Sequence, residues 1–313
     1  MLTDKKYNEK RSAMERFGRF CEFSKDGCPC TVGSDEPFVL FTNVWNEEPH
    51  IKPHFDRIRK QLFSPMLWVW LDDGSTDGSY REIEDASKDY PIEVIIVQSK
   101  KKSKANYLML GRGHQLRLDA VRDLVTERGI KFMTNIDVDT TACPNYFGRM
   151  LWLMANDKKL GVVAGYPVGE WEDRVANEPM HSGKFIRWSI VKPMRKLWDT
   201  CPDTQYNIKA RARGYNTKVA KVPLYHEGPT AGLTEIGAIR LGQIAYYAGR
   251  PFWAQLLRAL RRAVIRQHGT ALLRGWLKEW IRGTWHCDDP DVIAHYNESI
   301  LTTLKIYMRG KTR

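Results

Sequence analysis

Long apolar runs are missing from this chain. Its longest, at 38–42, 94–97 and 132–134, fall far short of the ~18 residues a membrane-spanning helix needs, so no span is expected. No apolar core follows the basic start Met1-Leu2-Thr3-Asp4-Lys5-Lys6, and a secretion signal is not expected either. Cysteine is sparse, with six residues at 21, 28, 30, 143, 201 and 287. Cys28-Pro29-Cys30, with Cys21 nearby, could begin a zinc site, but such sites need a second close pair of Cys or His, and none follows. Scattered thiols in a chain of this length read as reduced, and the expected compartment is the cytoplasm. With 42% hydrophobic and 27% charged residues, wholesale disorder is excluded.

Acid is in short supply. Forty-nine Lys and Arg against thirty-seven Asp and Glu leave +12, an excess that draws anionic partners such as nucleic acid, acidic lipid or a phosphorylated small molecule. The 313 residues suit one large α/β domain or two modest ones.

From Pro37 onward, apolar strand patterns alternate with helical ones. Strands are expected at 38–42, 68–71, 92–98 and 131–136. Helices are expected at 51–63, 79–87, 115–127 and 146–155, with Leu116, Ala120, Val121 and Leu124 sharing a face of the third. That alternation predicts βαβ units and a mostly parallel sheet flanked by helices. Ligands collect at the carboxyl ends of such strands.

Three strand ends carry polar clusters: Thr42-Asn43-Val44-Trp45-Asn46-Glu47-Glu48, Asp72-Asp73-Gly74-Ser75-Thr76-Asp77-Gly78-Ser79, and Asn135-Ile136-Asp137-Val138-Asp139. Carboxylates gathered at one edge are costly unless a cation joins them, and hard oxygen ligands suit magnesium or manganese. Two aspartates with one residue between them also commonly cap helices, and in isolation both readings of Asp137 and Asp139 stand. On extended backbone the two carboxylates would share a side and could hold a metal. Asp73, Ser75, Asp77, Gly78 and Glu84 also match the spacing of a calcium loop, but that loop needs a helix where Trp68-Val69-Trp70-Leu71 reads as a strand.

Residues 38–48 followed by 68–79 resemble the opening of the family 2 glycosyltransferases, with their apolar strand, Asn-Glu pair and Asp-Asp-Gly-Ser-x-Asp-Gly-Ser turn. Further matches keep the family's order. Residues 111–120 resemble its Gly-rich helix start, Asp137-Val138-Asp139 its DxD motif, 203–214 the segment with its catalytic acid, and His226 a histidine that many members aim at the metal. The resemblance covers about residues 37–230. It implies a GT-A fold and an inverting, metal-dependent transfer of the hexosyl class from a nucleotide-diphosphate sugar to a glycan or lipid-linked acceptor.

The resemblance also implies roles. Thr42, Asn43, Glu47 and Asp73 would bind the base and ribose, and Asp137 would also belong to the nucleotide-sugar site. Arg117 would serve the phosphates. Asp139, Asp137 and His226 would hold Mn2+ or Mg2+, and Asp203 would act as the base. Two departures matter. Pro202-Asp203 stands where the family usually has Glu-Asp, and the polymerising members' Gln-x-x-Arg-Trp is absent, Lys184-Phe185-Ile186-Arg187-Trp188 lacking the Gln. A non-processive transfer is therefore expected. The alternative from another class is an inactive GT-A-like binding protein attached to an anionic membrane or a glycan.

The last third differs in character. Residues 250–285 hold eight Arg and Lys against Glu279 alone, with Leu256, Leu257, Leu260, Val264 and Ile265 at helical spacing and Trp253, Trp276, Trp280 and Trp285 interspersed. An apolar face with arginine flanks and tryptophans suits a helix lying in an anionic lipid interface, and equally a helix pair packed on a catalytic domain. No nucleic-acid motif is present, and nucleic acid is not expected as a partner. The expected organisation is an arm at 1–36, a catalytic domain at 37–232 and a basic helical extension at 233–313. The expected location is the cytoplasm, with peripheral attachment at the inner membrane face following from the lipid reading of 250–285.

Overall fold

A computed structural model describes residues 34, 36–100, 110–168, 178–179, 182–198, 201–226, 234–265 and 267–297. Nearly all of the expected arm, the cysteines at 21, 28 and 30, Arg266, and residues 298–313 of the expected extension lie outside the described residues, as do the side chains of Pro167, Val168 and His226. The chain divides into two compact units, Met1–Glu227 and Gly228–Arg313.

The first unit holds strands β1 (Phe38–Val44), β2 (Leu67–Asp72), β3 (Glu93–Gln98), β4 (Phe132–Asn135), β5 (Thr140–Ala142), β6 (Leu160–Val168), β7 (Lys184–Arg187) and β8 (Asn216–His226). Its helices are α1 (Glu48–Arg59), α2 (Ser79–Ser87), α3 (Leu110–Glu127), α4 (Tyr146–Asn156), α5 (Trp188–Val191) and α6 (Pro202–Ala212). The eight strands form one sheet in the order β3-β2-β1-β4-β7-β6-β8-β5. β3, β2, β1 and β4 run parallel, as the alternation predicts. Beyond β4 the sheet is mixed: β7 is antiparallel to both β4 and β6, and β5 is antiparallel to β8.

Both faces of β1 and β2 are covered, so their side chains divide strictly by parity. Phe38, Leu40, Trp68 and Trp70 pack toward Ile51, Phe55 and Ile58 of α1 and toward α4. Val39, Phe41, Leu67 and Val69 pack toward Leu118, Val121 and Val125 of α3. That parity places the polar residues that end β1. Thr42 continues the α1 side and Asn43 the α3 side.

The buried stripe of α3 is not the expected one. Leu116 is exposed, and so is Ala120, whereas Gly113, Arg117, Leu118, Val121 and Val125 face inward. The register shifts by one residue because the Arg117 guanidinium finds three acceptors inside, which a helical apolar pattern does not reveal.

The second unit contains α7 (Glu235–Tyr247), α8 (Phe252–Val264), α9 (Gly269–Arg282) and α10 (Pro290–Tyr296). α7 and α9 approach at backbone contact. A Cβ on Gly275 would stand 2.0 Å from the Ile239 carbonyl oxygen, and one on Gly242 2.0 Å from that of Leu272. On α8, Ala254, Gln255 and Ala259 are the buried residues, while Leu260, Val264 and the following Ile265 are exposed. Three residues of the apolar stripe read from the sequence are thus exposed, while Leu256 and Leu257 are half-buried. Among the described residues no helix is long and apolar enough to cross a membrane.

Candidate active site

The centre of the site is Arg117, only 1% exposed. Its Nη1 donates to Asn43 Oδ1 at 2.6 Å and to Asn135 Oδ1 at 2.8 Å, and its Nη2 lies 3.0 Å from His114 Nδ1. The guanidinium also lies over the Phe41 ring, 4.7 Å from its centroid. Among the described residues its hydrogen-bond partners are all neutral. Burial pulls its pKa down to about 10, opposed by Tyr206 and by the Asp137 carboxylate, so it stays charged at neutral pH. Asn43 also reaches His114, its Nδ2 lying 3.1 Å from Nε2. Asn135 hands the network on, its Nδ2 donating to Asp137 Oδ1 at 3.0 Å.

The Asp137-Val138-Asp139 pair is not on extended backbone, as the strand continuation would have it. The Thr140 N–H closes a turn onto the Asp137 carbonyl at 3.0 Å. Arg57 of α1 donates to the Val138 carbonyl and pins that turn. Ser182 ties it from the other side, accepting from the Asp137 N–H at 3.0 Å and donating to Thr140 Oγ1 at 2.7 Å. Thr140 pairs with His226 in the β5–β8 ladder, which brings the His226 backbone beside the DxD turn. Its side chain lies outside the described residues. Asp137 and Asp139, both half-buried, supply hard oxygen donors of the kind that hold Mg2+ or Mn2+ when substrate phosphates complete the shell. Among the described residues, which leave out the His226 side chain, no group of three His, Cys, Asp or Glu is gathered. The donor set fits a substrate-shared divalent ion.

Thr42 lies on the opposite face of β1 from Asn43. Fully buried on the α1 face, its hydroxyl donates to the Ile136 carbonyl at 3.0 Å, accepts from Trp68 Nε1 at 3.0 Å and lies 3.3 Å from His54 Nε2. Strand parity turns it into the core. Glu47 is half-buried, and its N–H donates to Ser79 Oγ at 2.9 Å. Asp73 is 4% exposed, with its N–H on the Val44 carbonyl.

The Asp-Asp-Gly-Ser turn is knitted to the β1–α1 loop. Gly74 takes φ 70° and Asn46 φ 53°, both left-handed conformations that these residue types tolerate. The Asn46 N–H donates to Ser75 Oγ, and the Thr76 N–H donates to Asn46 Oδ1 at 2.8 Å. Asp77 caps Ser79 and accepts from the Glu48 N–H, and those bonds hold its carboxyl below the ordinary range against the opposing effect of desolvation. The calcium spacing thus belongs to a turn behind a strand.

Asp203 sits half-buried in the first turn of α6. Tyr206, one turn on, is buried and feels both the Arg117 guanidinium and the Asp203 carboxylate; burial lifts its phenol to about 12. Lys184 Nζ, 2% exposed, donates to the Asp203 carbonyl at 2.6 Å. His114, Ser182 and Lys184 were not anticipated as site residues from the sequence, and Asn135 enters there only as a member of a strand-end polar cluster. The available signals were a polar Asn two residues before the DxD pair and a lysine opening the apolar run Phe185-Ile186.

Among solved structures, a Pyrobaculum calidifontis mannosyltransferase in complex with GDP-Man and Mn2+ is similar at 15% identity, covering 89% of this chain and 81% of its own, with a TM-score of 0.52. S. aureus TarS 1-349 in complex with UDP matches 88% of this chain and 92% of its own at 15% identity and a TM-score of 0.48. Glucosyl-3-phosphoglycerate synthase from Mycobacterium tuberculosis matches 67% of this chain and 78% of its own at 15% identity and a TM-score of 0.48. At such identities the likeness speaks to fold alone. No curated protein matches the chain in sequence. The family model for Glycosyl transferase family 2 matches residues 40–221, more than half of the chain and the whole run of elements from β1 into β8, and the chain belongs to that family.

Proposed function

We propose that this glycosyltransferase moves one sugar, with inversion, from a nucleotide-diphosphate donor to a glycan or lipid-linked acceptor, non-processively, within residues 37–232. The carrying observation is the Arg117 cluster. A buried cation bonded to neutral acceptors favours the arrival of negative charge, and Asn135 links it to the carboxylates at the same sheet edge. Asn43, Glu47 and Asp73 face the nucleotide in this reading. Asp137 and Asp139, with His226, would hold a divalent ion, which when bound supplies neutralisation of the charge on the departing diphosphate.

The chemistry assigned to the chain's own groups is a single displacement. Asp203 takes the proton from the acceptor hydroxyl as its oxygen bonds to the anomeric carbon, and the bond to the diphosphate oxygen breaks with its electron pair. One displacement without a covalent sugar intermediate inverts the centre.

A thermal-shift panel of nucleotide sugars with Mn2+ or Mg2+ tests this. A bound donor raises Tm by mass action, and the protein then slowly hydrolyses that donor. If no donor in the panel is bound or split, the inactive binding-protein reading replaces this one.

For residues 250–285 the exposed apolar groups favour a lipid surface on the cytoplasmic side. Leu260, Val264, Ile265, Trp280, Ile281 and Trp285 are exposed among Arg258, Arg261, Arg262, Arg274, Lys278 and Arg282. The protein is expected to sediment with phosphatidylglycerol vesicles at low salt and to be released at high salt. Leu260→Asp with Val264→Asp weakens that binding about tenfold or more. Failure to bind neutral and anionic vesicles alike at low salt removes the membrane from the proposal.

A further inference from the structure

Lys184 is a buried ammonium to which the displacement just described assigns no task. It opens β7 opposite Asn135 of β4, beside the residue that joins Arg117 to Asp137. Its strand neighbours Phe185 and Ile186 are apolar and buried, and an apolar side chain would fill this position at less cost. A cation beside the first turn of a helix is also opposed by the helix dipole. Its surroundings offset part of these costs. Nζ donates to the Asp203 carbonyl at 2.6 Å, and the carboxylates that favour its charge are Asp203 at the start of α6 and Glu178. Arg211, two turns along α6, opposes them, though it is itself paired with Glu178 at 2.6 Å.

We propose that Lys184 is a positioning residue, whose ammonium fixes the first turn of α6 through the Asp203 carbonyl and so sets where the Asp203 carboxylate meets the acceptor. The inference rests on the reading of Asp203 as the base.

Burial brings the Lys184 ammonium down to about 8, from an ordinary value near 10.5. Its charged form is therefore disfavoured by folding. Above about pH 8 the unfolded chain holds more protons at this position than the folded one, so folding stability contributed by Lys184 rises with pH. Turnover goes the other way, because the neutral amine grips the carbonyl less firmly. Opposite signs in one pH window separate a positioning role from a filling one.

The test compares wild type, Lys184→Met, Lys184→Gln and Asp203→Asn. The assay uses Mn2+ and whichever of GDP-mannose, UDP-glucose and UDP-N-acetylglucosamine the wild type hydrolyses. Both Lys184 variants are expected to lose kcat about 10²-fold while the donor KM stays within about twofold, since a base displaced by about 1 Å costs that much. Wild-type kcat falls above about pH 8, and the variants lose that limb. Should the Met variant fail to fold, the Gln variant, which keeps a donor, decides. Wild-type kcat and pH profile in a folded variant, with Asp203→Asn inactive, overturn the inference alone. An active Asp203→Asn overturns the base reading and this inference with it. A donor-free readout stands beside these: between about pH 7.5 and 9 the stability of wild type relative to Lys184→Gln must rise, and an unchanged difference also overturns the proposal.

Discussion

Asp203→Asn is expected to lower kcat by about 10³-fold while nucleotide binding stays within about twofold, because general-base catalysis by a positioned carboxylate contributes factors of this size. The substitution keeps the shape and removes the proton acceptor. Its structural cost has two parts: a helix-dipole contribution, and the loss of one of the negative charges that favour the buried Lys184 ammonium, whose bond to the Asp203 carbonyl the substitution leaves in place. Asp203 lies in the first helical turn, where a carboxylate gains roughly 0.3–1 kcal/mol from the helix dipole, and no side-chain cap bond fixes α6 at Cys201. Folding should therefore survive, and steady-state kinetics beside a titration of Mn2+ with UDP or GDP separate turnover from binding. Retention of more than about a tenth of wild-type kcat would place the base on another residue. The Pro202-Asp203 pair makes this a demanding test, because the family's usual neighbouring carboxylate is missing and no second acid stands beside Asp203 in the sequence to take over its role.

The parts of the fold that were legible in the sequence are those set by local pattern. Ser79–Ser87 forms the second helix with the expected bounds, and Leu67–Asp72 extends its expected strand by one residue at each end. Apolar runs covered on both faces announce parallel strands, so β1 to β4 could be read as they stand. β7 could not, since Lys184-Phe185-Ile186-Arg187 is four residues long and opens with a lysine whose burial depends on a carbonyl nineteen positions away. The site divides in the same manner. Arg117, Asp137, Asp139 and Asp203 announce themselves by motif. Which side of β1 a polar residue faces is decided by parity against α1 and α3. That is why Asn43 joins the Arg117 cluster while Thr42, its neighbour, is taken up by Trp68 and the Ile136 carbonyl. The stripe of α3 misleads for a related reason: pattern treats arginine as an outward residue, and only the tertiary acceptors Asn43 and Asn135 make the inward position favourable.

The second large effect is expected at Asp139. Asp139→Ala should lower Mn2+-dependent turnover by about 10²–10³-fold, the range that follows from losing one preorganised electrostatic contribution at a leaving group. Affinity for the Mn2+–nucleotide pair should fall with it. The DxD turn makes the two aspartates unequal, and that inequality can be measured. Asp137 carries a structural load: it accepts from Asn135, whose Oδ1 holds Arg117, and its N–H is bound by Ser182. The Asp139 side chain is placed by a turn that main-chain atoms close, from the Thr140 N–H to the Asp137 carbonyl, with the Arg57 bond falling on the Val138 carbonyl. Truncating Asp139 leaves those bonds intact but removes the bond that its Oδ1 accepts from the Thr140 hydroxyl at 3.5 Å, so the metal-free Tm should fall less than in Asp137→Ala. Asp137→Ala, by contrast, strips a carboxylate that helps keep a buried guanidinium charged, and its Tm should fall by an amount corresponding to about 1–3 kcal/mol. Calorimetric titration of Mn2+ with UDP or GDP, run beside thermal melts of both variants, reads the two effects separately. Undiminished metal-dependent turnover in Asp139→Ala would remove this carboxylate from the metal set and, with it, the assignment of the DxD turn to the diphosphate.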